Sequence, residues 1–223
     1  MTHEPRGHGE LWTFGLEPPA QALEVAPLLR RIAGLVLALE GPEPAVDRLV
    51  EQLRAAEAEL AAIVPTGTAP RVGEGPPADA RAYVDHGRDI GAYNPCFPEY
   101  AIDVRGAHAS GSVTFPVAFE GPPGIVHGGV QANFFDCVIQ HHNCEYGQAG
   151  RTVSLELRYR RPVPVGVALS FTVEREADER RITSTSRLHQ GEELLTTAVM
   201  SAVAGNRANL PVVWPRRPPR RSS

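Results

Sequence analysis

Lysine is absent. All 22 basic side chains of this 223-residue sequence are arginine, set against 26 acids, for a net charge of -4. Every contact made by a positive side chain therefore falls to a guanidinium, and the chain lacks the basic excess of a nucleic-acid-binding domain. Cysteine is scarce. Cys96, Cys137 and Cys144 have neither metal-ligand spacing nor the pattern of a disulfide framework, so a reducing, cytoplasmic setting is expected. No run of 18 apolar residues occurs, and no membrane-spanning helix is expected. The opening MTHEPRGHGE is polar and mixed in charge, unlike a signal peptide.

What is present divides into three parts. Residues 1–80 hold 12 acids and 6 arginines, a balance of -6, and the remaining 143 residues come to +2. Residues 1–19 read as an arm ending in Glu17-Pro18-Pro19. Ala20–Glu40 has helical composition, with Pro27 near its start. Pro44–Ile63 is a stronger helix, since Val46, Leu49, Leu53, Ala56 and Leu60 recur at three- and four-residue intervals. Glu51, Arg54, Glu57 and Glu59 lie mostly off that stripe. These helices carry no catalytic groups and must pack on the main domain or on a partner subunit. Pro65–Ala80 reads as a linker.

Beyond the linker the period changes to two. Gly111–Glu120 alternates Val113, Phe115, Val117 and Phe119 against smaller or polar residues. Thr152–Arg160 alternates Val153, Leu155, Leu157 and Tyr159 against Ser154, Glu156, Arg158 and Arg160. A turn at 161–166 follows, and then three strand-like segments separated by Asp178-Glu179 and Gly191-Glu192 suit an antiparallel meander. One helix-like segment, from Gly128 to about His142, precedes the meander. A helix against one antiparallel sheet is an α+β layer architecture. The organisation expected is thus an arm, two helices and a linker over 1–80, a main domain over 81–205, and a tail over 206–223. The tail's PVVWPRRPPRRSS suits neither helix nor central strand.

The chemistry gathers at GPPGIVHGGVQANFFD, residues 121–136. Glycines 128 and 129 bare the backbone at a helix start, where N–H groups are unpaired and the helix dipole is positive. Such a site suits a carbonyl oxygen turning into an oxyanion, and small residues let a ligand come close. His127 caps the helix or orients the loop. Asp136 is a lone acid in the apolar run Phe134-Phe135-Asp136-Cys137-Val138-Ile139, costly there unless paired or used. Asn133, Asp136 and Gln140 share one helix face. Gly128 and Asp136 are eight residues apart, roughly 12 Å along a helix axis. One helix therefore does not place both on the same reacting group. Two copies, antiparallel across a two-fold axis, do. His141-His142-Asn143-Cys144 offers ligand types, but adjacent helical histidines point apart, and no metal site is expected.

FEGPPGIVHGG (Phe119 to Gly129), Asp136 nine residues after His127, and RTVSLELRYRRPVPVG (Arg151 to Gly166) together resemble the hotdog-fold acyl-CoA thioesterases. Within them, the resemblance is to the PaaI-like group and to the group of thioesterase superfamily members four and five. It covers about residues 90–205, and YNPCFPEY (Tyr93 to Tyr100) looks like the start of that domain. The resemblance implies a curved antiparallel sheet around a long central helix, joined as a homodimer, with a dimer of dimers as the larger assembly open to it, acyl-CoA as substrate and no cofactor. It implies that Asp136 acts as general base or nucleophile, that Gly128 N–H polarises the thioester carbonyl, and that Thr152 positions water. The acid and hydroxyl then come from the subunit opposite the glycine. Gly121 departs from relatives with Asn or Gln six residues before the histidine, which leaves the carbonyl fewer side-chain contacts. For the substrate, Gly129, Asn133 and Phe135 are candidates beside the acyl group. Arg158, Arg160 and Arg161 are candidates for the phosphates of CoA. The alternatives are a non-catalytic hotdog that binds an acyl group or serves in assembly, and a hydratase-like hotdog, which the spacing from HGG to Asp fits poorly.

Overall fold

The structure, a computed structural model, describes residues 18–64, 70–71, 81–82, 89–146, 149–178 and 180–204. The expected N-terminal arm to residue 17, most of the linker and the Pro/Arg-rich tail lie outside the described residues. The two N-terminal helices form as α1 (Ala20–Leu37) and α2 (Pro44–Ile63). Pro27 is accommodated inside α1. Two short strands, β1 (Pro70–Arg71) and β2 (Arg81–Ala82), pair in parallel, and the short helix α3 (Ile90–Tyr93) follows.

The main domain is one six-stranded antiparallel sheet with a long helix against it. The strands are β3 (Tyr100–Arg105), β4 (His108–Thr114), β5 (Gly150–Tyr159), β6 (Ala168–Ala177), β7 (Arg181–Gln190) and β8 (Glu193–Ala204), in the order β3-β4-β6-β7-β8-β5. The helix is α4 (Gly128–Tyr146). The meander over β6, β7 and β8 forms as the turn signals indicate. The expected strand over Gly111–Glu120 does not run its full length: β4 begins at His108 and stops at Thr114, and Val117–Phe119 is a 3-10 turn. Pro116 has no N–H for a ladder, so the alternation beyond it packs from a turn rather than a strand.

Phe134 anchors α4 in the sheet. The rings of Phe97, Tyr100, Phe115, Phe135 and Phe171 all lie about it, mostly edge-on. Phe134, Phe135, Val138 and Ile139 are wholly buried, which fixes the rotation of α4 and hence the direction of Asp136. At Gly111 a side chain is impossible, because a Cβ would sit 2.3 Å from the Phe171 ring and 2.1 Å from the Ala101 carbonyl oxygen.

α1 packs against α3 and the 3-10 turn. Its buried residues are Ala26 and Arg30, and the Arg30 guanidinium donates to the carbonyls of Gly91 and Asn94 and lies 3.5 Å from Glu99. α2 behaves differently. None of its residues is buried, Val46 and Leu49 are half-buried, and it forms no extended contact with another described element.

Candidate active site

The loop before α4 is held from both sides by its backbone. His127 N–H donates to Phe119 O, Val126 N–H to Val163 O, and Gly121 N–H to Ile125 O. At the helix start, Val130 and Gln131 N–H both reach His127 O. The His127 ring accepts Gly129 N–H at Nδ1, 3.0 Å away. His127 is thus the cap of α4. These bonds occupy the N–H groups of residues 129, 130 and 131. Gly128 N–H meets no acceptor among the described residues.

Three side chains to which the sequence gives no role at the site, Tyr159, Gln131 and Thr196, hold this helix start. The Tyr159 hydroxyl donates to Gly128 O at 2.9 Å, and a Cβ on Gly128 would sit 3.2 Å from that hydroxyl. Buried Gln131 donates to Val126 O and accepts from Thr196 at 2.8 Å, tying the first turn of α4 to β8. A groove of about 350 Å³ opens beside Gly128, lined among others by Gln131, Tyr159, Arg160 and Arg161. Arg161 also pairs with Glu193 at 3.2 Å. Arg158 lies outside the groove lining and pairs with Glu156 at 3.0 Å. Gly121 leaves no room for a longer side chain, since a Cβ there would lie 2.9 Å from His127 Cα.

Two turns along the helix, half-buried Asp136 meets β5. Thr152 Oγ1 donates to Asp136 Oδ1 at 2.9 Å. Behind it, buried Gln140 donates from Nε2 to Thr152 Oγ1 at 3.0 Å and to Gly150 O at 2.8 Å. Because Gln140 is the donor, the threonine oxygen accepts and its own hydrogen is left for the carboxylate. Asn143 continues the line: its Oδ1 accepts from Arg175 at 3.0 Å.

The alternation of β5 places Val153 with Leu155 and Leu157 and turns Thr152 away. A bulge between Thr152 and Ser154 reverses this at the strand's start. The extra residue shifts the register by one. Val153 is 59% exposed, and Thr152 faces α4.

The remaining candidates separate. Asn133 is exposed on α4, one turn before Asp136, with Cys137 Sγ 3.9 Å from its Oδ1. Phe135 is wholly buried in the protomer's core against Phe134. His141 and His142 diverge: His141 Nδ1 meets the Tyr100 hydroxyl at 2.7 Å, and His142 Nε2 meets Gly106 O at 2.8 Å. Burial pushes the His142 imidazole below its ordinary pKa, against the opposing pull of the Gly106 carbonyl. Burial also raises the Cys144 thiol to about 12, far from a thiolate nucleophile. Among the described residues no His/Cys/Asp/Glu group is arranged to hold a metal, and no helix is long and apolar enough to cross a membrane.

No protein-family model and no curated protein matches the sequence. Solved structures do. A thioesterase superfamily protein is similar to this chain at 25% identity, with a TM-score of 0.68, over 86% of this chain and 100% of its own. That share exceeds what residues 81–205 supply, so the similarity takes in part of the N-terminal helical region. Thioesterase superfamily member 2 from Mus musculus matches at 14% identity and a TM-score of 0.45, over 48% of this chain and 82% of its own. A hypothetical thioesterase from Streptococcus pneumoniae, solved with coenzyme A, matches at 15% identity and a TM-score of 0.46, over 48% of this chain and 90% of its own. The six-stranded antiparallel sheet around the long α4, with its N-terminal helical extension, is the hotdog fold of thioesterase superfamily proteins, and the resemblance drawn from the sequence is borne out at that level.

Proposed function

We propose that the protein hydrolyses acyl-CoA thioesters, at sites shared between two protomers whose hotdog units, residues 81–205, pair as a homodimer. The observation that carries the reading is the hydrogen bond from Thr152 to Asp136 at 2.9 Å, held from behind by Gln140. It gives a helix-borne carboxylate one fixed orientation and leaves its second oxygen for water. Gly128 N–H, left open where its neighbours are occupied, supplies the complementary donor. The two lie roughly 12 Å apart along one helix, whereas a base acts within about 3 Å of the proton it takes. The glycine of one protomer therefore works with the partner's Asp136 and Thr152.

The reaction runs as follows. The thioester carbonyl accepts from Gly128 N–H, and the CoA phosphates lie in the groove bearing Arg160 and Arg161. Asp136 of the partner subunit takes a proton from water as the water oxygen bonds to the carbonyl carbon. The oxyanion collapses, the C–S bond breaks, and CoA leaves as a thiolate, a far weaker base than an alkoxide. The proton taken by Asp136 then passes to that thiolate or to solvent. In this account His127 supports Gly128 through Gly129, and the role of Asn133 is to border the acyl group near Asp136. No cofactor takes part.

Gly121, closed off by His127, brings no side-chain amide to the carbonyl, and that favours a second reading: an acyl-binding hotdog without turnover. Release of free thiol from short, long and aromatic acyl-CoAs tests the two. Turnover of at least one class supports hydrolysis. Saturable binding without thiol release from any of them supports the second reading.

A further inference from the structure

Thirteen of the eighteen large apolar side chains left exposed among the described residues lie between Leu23 and Val64. α1 turns one face, with Ala26 and Arg30, to the hotdog unit. Val25, Leu28, Leu29 and Val36 fall on an arc of α1 turned away from that face and are exposed. α2 leaves them exposed: it buries no residue of its own, with Val46 and Leu49 only half-buried, and forms no extended contact with another described element. Most helical stability in proteins comes from packing of an apolar face, so a stripe of this length calls for an occupant.

The spacing on α2 says which kind. Val46, Leu49, Leu53, Ala56, Leu60 and Ile63 step by three and four alternately across the whole helix. That is the narrow seam of one helix on another. Reversed about a two-fold axis centred between Arg54 and Ala55, the seam matches itself: Val46 meets Ile63, Leu49 meets Leu60, and Leu53 meets Ala56. The large leucine falls on the small alanine in both halves. A parallel pair would set alanine against alanine and leave a gap. Charge argues against a lipid surface, because α2 carries Asp47, Glu51, Glu57 and Glu59 against Arg48 and Arg54, where an interfacial helix has a basic face. Size is sufficient too. α1 and α2 have 18 and 20 residues, and the outward half of that surface is close to the roughly 20–30 residues a side of a stable interface.

We propose that the N-terminal helices are a self-association surface. Its occupant is a second copy of this chain, with the two α2 helices antiparallel across a two-fold axis and the outer faces of α1 beside them. The surface lies outside the hotdog unit and joins hotdog units into a larger assembly, whether or not they hydrolyse thioesters.

The test uses the full chain. Leu53→Glu with Leu60→Glu places four acids in the seam of each pair, at side chains exposed within the protomer. Light scattering on a sizing column at micromolar concentration should show the mass of the assembly halved, with thermal unfolding of the hotdog unit within a few degrees of the parent. Equal masses overturn the proposal. A second measurement holds even if those variants fold poorly. Leu49→Cys with Leu60→Cys, in a chain with Cys96→Ser, should form a covalent dimer on mild oxidation. Eleven residues, roughly 16 Å of helix, separate the two positions, too far for a bond within one chain. Leu60→Cys alone should not link. Linking by the single variant as fast as by the double, or by neither, overturns the antiparallel pairing.

Discussion

Replacing Thr152 with valine removes one hydroxyl and keeps the shape. That hydroxyl donates to Asp136 at 2.9 Å and accepts from Gln140 at 3.0 Å. A hydrogen bond to a charged group contributes about 1.5–3 kcal/mol, and water reaches half-buried Asp136 to replace part of it. Gln140 keeps its bond to Gly150 O at 2.8 Å, but the second N–H of its buried amide loses its acceptor. With that stranded donor included, the expected loss of stability is about 2–4 kcal/mol, a fall of roughly 4–16 °C in Tm for a chain of this size. The effect on turnover is larger relative to its cause. An unanchored carboxylate must be oriented during each reaction, and a further barrier of about 1.4–2.8 kcal/mol lowers kcat roughly 10–100-fold. KM should stay within about threefold, because Thr152 stands apart from the groove that takes CoA. Thr152→Ser restores the donor and should recover most of the activity. Thiol-release kinetics on the three proteins, with Tm as the control for folding, checks the reasoning. A Thr152→Val enzyme within threefold of the parent refutes it, and a loss that serine fails to rescue would show that the hydroxyl serves only when the threonine methyl packs beside it.

Three further outcomes follow from other parts of the structure. His142 is buried with its pKa held below the ordinary value of about 6.5, so its contribution to stability is fully present at pH 7.5 and is lost as pH falls through the unfolded value; Tm should drop more steeply between pH 7.5 and 5.5 for the parent than for His142→Gln. Arg30→Ala leaves the Gly91 and Asn94 carbonyls without their guanidinium donors, at about 1–3 kcal/mol for each; hydrogen exchange in α1 should accelerate at least tenfold while exchange in α4 is unchanged, and equal protection in α1 would show that the guanidinium does not hold it. Asp136→Ala and Gly128→Pro homodimers should each be inactive, while mixed dimers pair one intact Gly128 with one intact Asp136; random exchange should return about a quarter of parental activity, and confirmed mixed dimers without activity would contradict a shared site.

The elements legible in the sequence are those whose period matches their burial. α4 and the β6–β8 meander are of this kind, and Asp136 stands out because it interrupts an apolar run. What was not legible depends on partners far along the chain. Thr152 faces the helix only because the bulge at Val153 shifts the register, and a strict period of two puts it on the other side. Gln140 belongs to a polar face in the sequence, but nothing local says that it is buried against Gly150 and Thr152. Arg30 looks like an exposed helix charge, yet it is the buried tie of α1, because carbonyls that α3 and its C-terminal end leave open lie 61 and 64 residues away. Tyr159 reads as a strand residue, and its hydroxyl reaches Gly128 across the loop. The stripe on α2 is plain in the sequence, but no residue of it is buried within the protomer.

The most direct measurement is the turnover of an acyl-CoA by Asp136→Asn. Asparagine keeps the size of the side chain and can still accept from Thr152, but it takes no proton from water and does not attack a carbonyl. Free-thiol release should show kcat reduced at least about a hundredfold with KM little changed, while Tm and assembly mass match the parent. Activity within threefold of the parent, on a substrate that the parent hydrolyses, would contradict the role given to this carboxylate.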